Sequence, residues 1–390
     1  MDRLENPYRP GAGAPPPALI GRDKLIDAFG VTIRRALDLR PGKSYMAIGL
    51  RGAGKTVLLN RFAQIAGDEG MEVSFVEAPE TGDFRMLLAL RLRKILLGLD
   101  AVGPARRVIT RALGVLTSFT WQLPDGGSIA IGVDPEAGQA DSGILSEDLT
   151  DLLVAAGEAA RADRTGVLLA IDEVQYLSAE ELGALITAIH RTTQLDLPVV
   201  LVGAGLPQLP GLAGVAKSYA ERLFDFPMIG SLDESDAAAA ILIPAHEMNV
   251  DFDDEAVELI VDASRGYPYF LQEWGYHVWN LAANNPITAD DVRAARPAVI
   301  EQLDRNFFLV RLQRLTPKER DYLTAMAELG AGPHRSGDIA AQLGVKVESV
   351  APRRSGLISK GMIYSPAHGL TAFSVPLFDE FLLRSDRSEP

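Results

Sequence analysis

Gly49-Leu50-Arg51-Gly52-Ala53-Gly54-Lys55-Thr56 spells the phosphate-binding loop G-x-x-x-x-G-K-[ST] with no substitution. On its amino side, Tyr45-Met46-Ala47-Ile48 reads as a short buried strand. On its carboxyl side, Val57-Leu58-Leu59-Asn60-Arg61-Phe62 starts a helix directly behind Thr56. Such a strand, loop and helix curl a glycine-rich backbone so that consecutive N–H groups point at phosphate oxygens, at the positive end of the helix. The candidate contacts are therefore Gly49, Gly52, Ala53, Gly54, Lys55, Thr56 and Val57. The Lys55 ammonium is expected to reach the β- and γ-phosphates, and the Thr56 hydroxyl to take a coordination position on Mg2+. The expected ligand is a nucleoside triphosphate.

A second stretch completes that chemistry. Gly166-Val167-Leu168-Leu169-Ala170-Ile171-Asp172-Glu173 is a continuous apolar run ending in two carboxylates. A central parallel strand, buried on both faces, reads this way, and its carboxyl end is where open α/β sheets bind ligands. Asp172 is assigned to Mg2+ and Glu173 to polarising the attacking water. The metal needs hard oxygen ligands, and hydrolysis needs a base within reach of the water. Lys55, by the same logic, contributes to catalysis as well as to binding.

Composition narrows the rest. The 390 residues are 47% hydrophobic, enough for two or three domains, and carry a net charge of −14. That acidity argues against coating nucleic acid through overall charge, while leaving room for a local basic surface. The chain has no cysteine and only five histidines, without an H-E-x-x-H pair, so thiol chemistry and a zinc site are not expected. His190, His246 and His277 read as structural. No signal peptide and no apolar stretch of bilayer-spanning length are visible, which gives the expectation of a cytoplasmic protein with no membrane partner.

Further strands are expected at Met71–Val76, Pro198–Gly203 and Phe224–Ile229, with a helix from Leu212 to Leu223. The order phosphate loop, acidic strand, strand, helix with a terminal arginine, strand resembles that of AAA+ ATPases. Within that class the chain is similar to the initiator-type (origin-recognition) ATPases and the related STAND signalling ATPases. Ile20-Gly21-Arg22-Asp23 resembles the box those proteins carry before their first helix. Ser231 to Asp236 resembles the start of their helical lid, and Gly266-Tyr267-Pro268 their glycine-x-proline motif. The resemblance covers about residues 18–300. It implies an α/β P-loop NTPase core with a parallel sheet, a helical lid, ATP rather than GTP as ligand, and Gly266 and Pro268 over the nucleotide base. It also implies that Arg222 acts as an arginine finger toward a neighbouring subunit of a homo-oligomer; the alternative is a surface arginine paired with Glu221 or Asp225. The family's usual polar residue at the end of the strand 198–203 is missing: Gly203-Ala204-Gly205 offers backbone only, unless Gln208 substitutes. This favours a slow switch over a motor.

The expected division is a flexible, Pro-rich leader (1–17), a core (18–230) with an insertion at about 84–145, a lid (231–300) and a C-terminal domain (301–390). The insertion begins with a basic segment: Arg85, Arg91, Arg93, Lys94, Arg106, Arg107 and Arg111 against Asp100 alone. It either contacts DNA or an acidic partner, or is a solvated face packed through Met86, Leu87, Leu90, Ile95 and Leu97. Phe119–Leu123 and Ser128–Val133, joined by Pro124-Asp125-Gly126-Gly127, are expected to form a β-hairpin. Tyr269, Phe270, Trp274 and Trp279 are expected to form lid core.

Past residue 301, Thr316-Pro317-Lys318-Glu319 is a helix start with a capping box. Helices at Ser336–Leu343 and Val347–Lys360 follow, then strands at Met362–Ser365 and Leu370–Val375. This order is that of a winged helix-turn-helix, with Pro352 expected to bend the third helix or mark its true start. Lys346, Arg353, Arg354 and Lys360 are the candidate DNA contacts, with Arg353 and Arg354 the base readers; a protein-binding winged helix is the alternative. The functional expectation is an ATP-binding and slowly hydrolysing switch acting on DNA or on a protein partner. Two alternatives stay open, a signalling or scaffold ATPase that does not bind DNA and a nucleotide-binding protein without turnover.

Overall fold

A computed structural model describes residues 1–11, 13, 15–99, 104–123, 131–330 and 332–386. The chain forms two compact units: Asp23–Ile48 with Leu58–Met228, and Met1–Arg22 with Gly49–Val57 and Ile229 onward.

The first unit is an α/β layer built on a parallel sheet. In chain order it contains α1 (Asp23–Leu37), β1 (Ser44–Ile48), α2 (Lys55–Asp68) from Leu58 onward, β2 (Glu72–Glu77), α3 (Phe84–Gly98), α4 (Pro104–Trp121) and α5 (Leu145–Ala162). It continues with β3 (Val167–Asp172), α6 (Ala179–Gln194), β4 (Val199–Gly205), α7 (Leu209–Ala216), α8 (Ala220–Leu223) and β5 (Phe224–Asp225). The strand order is β2-β3-β4-β1-β5 and every pairing is parallel. β3 and β4 have neighbours on both sides, and every residue of both is buried, which is why they read as uninterrupted apolar runs. In the register, Ile171 stands beside Gly203 and Gly203 beside Met46. One core joins the sheet to the helices through Leu152, Leu153, Leu185, Ile186, Ile189 and Leu201, all fully buried.

Three expectations change here. The first arm of the hairpin, from Phe119, is the end of α4 instead. Val115, Leu116 and Phe119 are buried on a helical stripe, and the Thr117 hydroxyl donates to the Leu113 carbonyl at 3.0 Å. Tertiary burial at helical spacing outweighs the strand preference of Thr, Phe and Trp. The turn 124–127 and residues 128–130 of the second arm lie outside the described residues. The helix expected at 212–223 is two helices, broken where Lys217 takes an extended backbone. The last strand keeps only two ladder residues, because Pro227 has no N–H to donate; its carbonyl instead accepts from Ile48 N at 2.9 Å.

The second unit is mostly helical: α9 (Glu234–Glu247), α10 (Asp254–Ser264), α11 (Pro268–Leu281) and α12 (Ala289–Leu303), the last running through a π-helical stretch (Asp304–Leu309) into α13 (Val310–Leu312). Asp233 caps α9 by accepting from Asp236 N at 2.8 Å, and Pro268 starts α11, where a missing N–H costs nothing. Phe270, Trp274 and Trp279 are buried, as core residues should be. Then come α14 (Pro317–Glu328), β6 (His334–Arg335), α15 (Ser336–Gln342), α16 (Val347–Ser359), β7 (Ile363–Tyr364), β8 (Leu370–Phe373) and α17 (Phe378–Asp386). The three strands form an antiparallel sheet in the order β6-β8-β7. The Thr316–Glu319 capping box of α14 is formed from both sides. Pro352 lies inside α16, not at its start.

The leader is the clearest correction in this unit. Although rich in proline, it is not a loose tail. Tyr8 is 2% exposed and its hydroxyl donates to the Ile241 carbonyl at 2.7 Å. The ring lies over Gly275 of α11, where any Cβ would come within 2.5 Å of it. Arg9 N donates to Gln272 Oε1 at 3.0 Å, and Trp279 Nε1 to the Asp2 carbonyl at 2.8 Å. Burial of one aromatic ring and these specific bonds fix a segment that has no periodicity to announce it.

Candidate functional site

The phosphate loop belongs to the second unit and is built almost wholly from backbone. Gly52 and Gly54 have φ of +82° and +89°, the left-handed region that glycine enters without steric cost. A Cβ on Gly49 would fall 2.0 Å from the Ile229 carbonyl oxygen, so only glycine fits. A Cβ on Gly54 would meet nothing within 4 Å, so that glycine is required by conformation alone. Ala53 is buried and Val57 half-buried at the start of α2. Lys55 is 7% exposed, and its ammonium donates to the Leu50 carbonyl at 2.9 Å. A phosphate oxygen would offer that ammonium a charge-assisted acceptor.

Around this loop stand groups whose contacts with it the sequence did not reveal. Tyr269 N donates to the Gly52 carbonyl at 3.3 Å, from the first turn of α11. The Tyr269 hydroxyl donates to Glu273 Oε1 at 2.7 Å, its ring stacks on Phe307 at 4.8 Å, and burial pushes its phenol well above the usual tyrosine range. Arg51 N donates to the Ser374 carbonyl at 3.2 Å, and Arg51 Nε to the Gly361 carbonyl at 3.4 Å. Gly266 has φ +67° and is closed on Leu232, whose N–H donates to its carbonyl at 2.9 Å. Arg22 donates to the Gly230 carbonyl at 2.6 Å; burial lowers its guanidinium from the ordinary arginine value, and Asp236 opposes that shift. These contacts explain the boxes at 20–23, 231–236 and 266–268 as joints between segments.

The acidic half belongs to the first unit. Asp172 is 5% exposed at the end of β3. Glu173, half-buried, leaves the strand with φ 53° and ψ 39°, and its own N–H donates to Asp172 Oδ1 at 2.8 Å. A non-glycine residue in this region carries a steric cost of about 1–3 kcal/mol, which Glu173 shares with Leu39, Ala140 and Arg164 among others. The Gln175 amide donates to Glu173 Oε2 and accepts from Leu206 N at 3.1 Å. Gln208, the substitute considered for the missing polar residue after β4, caps α7 without a side-chain bond; its carbonyl oxygen is buried with no partner among the described residues.

Arg222 is exposed on α8 and makes no salt bridge among the described residues; Asp225 pairs with Lys43 instead, at 3.0 Å. In the insertion, Arg91, Lys94, Arg106 and Arg107 are exposed, while Arg111 approaches Glu136 at 3.4 Å. The candidate DNA contacts on α16 divide. Arg354, expected to read bases, donates to Thr371 Oγ1, Ser365 Oγ and the Leu370 carbonyl at 2.9, 2.9 and 3.1 Å. Its guanidinium braces the β7–β8 turn. Lys360 donates to Glu319 Oε2 at 2.7 Å and to the Arg314 carbonyl at 3.1 Å. Only exposed Lys346 and half-buried Arg353 keep the expected character.

No group of three or more His, Asp or Glu side chains is placed to hold a metal among the described residues. Mg2+ beside a nucleotide needs fewer protein ligands, because phosphates and water supply the rest. The expected oxygen donors, the Thr56 hydroxyl and the Asp172 carboxylate, belong to the second and the first unit respectively. Among the described residues no helix is long and apolar enough to cross a membrane.

Residues 18–202 match the model of the AAA ATPase domain, and residues 305–382 that of a domain of unknown function, DUF8462. No curated protein sequence matches the chain. Among solved structures, the Walker-type ATPase PABY2304 of Pyrococcus abyssi is similar at 16% identity and a TM-score of 0.57, covering 94% of this chain and 96% of that one. The Aeropyrum pernix Orc1 protein in complex with DNA gives 16% identity and 0.47, over 95% and 94% of the two chains. The Thermotoga maritima RuvB Holliday junction branch migration motor gives 18% and 0.46, over 91% and 92%. At such identities the first likeness speaks for a shared fold, and the other two carry no argument. The match of residues 18–202 to the AAA ATPase domain model accords with the α/β fold on a parallel sheet.

Proposed function

We propose that the protein is an ATP-binding, slowly hydrolysing switch of the initiator-like or STAND type, whose C-terminal winged helix acts on a protein partner. The observation that carries this reading is the phosphate loop, with an unbroken motif, two left-handed glycines and a buried lysine whose ammonium rests on a carbonyl. Lys55 and the backbone from Gly49 to Val57 hold the phosphates. Thr56 and Asp172 hold Mg2+, which when bound neutralises phosphate charge. Glu173 orients and deprotonates the attacking water. Gly266 and Pro268, with the helices of residues 231–300 as a lid, cover the base. Arg222 reaches the nucleotide of a neighbouring copy and offsets developing charge there.

A protein partner is favoured over DNA because Arg354 and Lys360 are committed to internal bonds. That leaves Lys346 and Arg353 on α16, too few cations for strong phosphate binding by a chain of net charge −14. The second reading, DNA binding, rests on the exposed cations of α3 and α4. A salt titration of duplex binding separates the two: steep loss of affinity with salt supports DNA, and no binding at low salt removes it.

Calorimetric titration with ATP and Mg2+ tests the site itself. Wild-type protein is expected to bind, and Lys55→Ala to weaken affinity by about 10–100-fold, the worth of a hydrogen bond to a charged group. Equal affinity in both proteins overturns the assignment. Assembly measured by light scattering with a slowly hydrolysed analogue, lost in Arg222→Ala, supports the trans arginine; a monomer in every nucleotide state removes it.

A further inference from the structure

We propose that Gln175 is the positioning residue of Glu173, and that it takes the place of the polar side chain missing from the end of β4. The inference rests on the reading of Glu173 as the base of an ATPase. Its physical basis is local. Gln175 sits in the 3-10 turn Val174–Tyr176 directly after Glu173, and that turn is closed by Tyr176 N donating to the Glu173 carbonyl at 2.9 Å. The side-chain amide reaches in two directions, donating to Glu173 Oε2 and accepting from Leu206 N at 3.1 Å.

The orientation of that amide follows from its partners. Leu206 N–H can only donate, so it must face the amide oxygen. The NH2 group is then left for the carboxylate, which as an anion can only accept. Both ends are satisfied in one orientation and neither in the other, so Gln175 fixes the Glu173 carboxylate against the backbone that follows β4.

The glycines of β4 fit the same account. A Cβ on Gly205 would lie 2.9 Å from Gln175 Oε1, so a side chain there would displace the amide. A Cβ on Gly203 would lie 3.0 Å from Val174 Cγ2 and 2.4 Å from Met46 Sδ. Gly205, one of the small residues that deprive β4 of a polar group, is the one that leaves room for the Gln175 amide.

The test compares the full-length wild type with Gln175→Leu and Gln175→Glu, in steady-state ATPase assays across pH and in nucleotide titrations. Gln175→Leu removes both bonds and is expected to lower kcat by about 10–100-fold, with nucleotide affinity kept within about twofold. Gln175→Glu keeps the shape but places a second carboxylate against the first. The pair then holds a proton, and the acid limb of the kcat profile moves up by about one pH unit or more. Retained nucleotide affinity reports a folded protein, and the near-isosteric Glu variant keeps the test open if Leu does not fold. Turnover and pH profile unchanged in both variants overturn the role of Gln175 alone. A wild type that binds ATP without turnover overturns the base assignment and this inference together, which keeps the two failures apart.

Discussion

The phosphate loop and the acidic end of β3 serve one proposed chemistry by opposite means. In the loop, the backbone carries the geometry: two glycines at positive φ, and a third that tolerates no Cβ because the Ile229 carbonyl lies 2.0 Å from where it would stand. At the end of β3, side chains carry it. Asp172 accepts from the Glu173 N–H, and Glu173 accepts from Gln175, which in turn accepts from Leu206 N. A backbone site depends on the absence of side chains at fixed spacing, so it leaves a readable signature. A side-chain network depends on which rotamers meet across strands, and its members need no fixed spacing in the sequence.

Substitutions in the two regions should therefore fail differently. The largest effect is expected from Glu173→Gln, with turnover down by about 10²–10⁴-fold, the usual worth of a general base, and nucleotide affinity retained. Single-turnover hydrolysis beside an equilibrium titration checks this, and wild-type turnover would remove Glu173 from the chemistry. Next comes Gly49→Ala, expected to cost about 1–3 kcal/mol in denaturant unfolding through overpacking against Ile229, and to weaken nucleotide binding in parallel. An unchanged midpoint would mean that the loop yields more readily than its contacts suggest.

Smaller effects sharpen the contrast outside the site. Glu319 is pushed up by burial, but the bonds it accepts from Lys360 and Thr316 win, so its carboxyl lies below the usual glutamate value. A depressed folded value stabilises above the unfolded pKa and is lost as pH falls through the folded one. Glu319→Gln should therefore cost about 1 kcal/mol near neutral pH, as loss of a helix cap does, with the difference shrinking below about pH 4. Thermal unfolding at several pH values checks it. The smallest effect is expected at Gly67, an exposed residue of α2 where a Cβ meets nothing within 4 Å. Gly67→Ala should stabilise by about 0.5–1 kcal/mol through helix propensity, opposite in sign to Gly49→Ala.

The same division explains what the sequence revealed. The strands at 45–48 and 167–172 were legible because buried parallel strands are apolar without interruption. The Thr316–Glu319 box was legible because a cap has fixed spacing. Phe119 and Trp121 misled toward a strand, since their propensity is intrinsic while the burial that holds them helical is tertiary. The leader misled for a related reason: five prolines suggested looseness, and only the fold offered Tyr8 its groove over Gly275. Gln175 and Arg51 went unread although each had a faint signal. One is a polar residue just after an acidic strand end, and the other a cation inside a loop meant for phosphate.

Arg51 has a thermodynamic consequence. It occupies a variable position of the phosphate motif, yet its N–H and guanidinium bond the carbonyls of Ser374 and Gly361, on either side of the β7–β8 hairpin. Loop and hairpin are thus linked functions. Whatever factor a phosphate adds to, or removes from, the strength of those bonds, a molecule gripping the hairpin must return to the phosphate affinity unchanged in size. Each 1.4 kcal/mol so exchanged is tenfold in Kd. Any molecule that altered those bonds from the hairpin side would act on the phosphate loop through one arginine that the motif leaves unspecified.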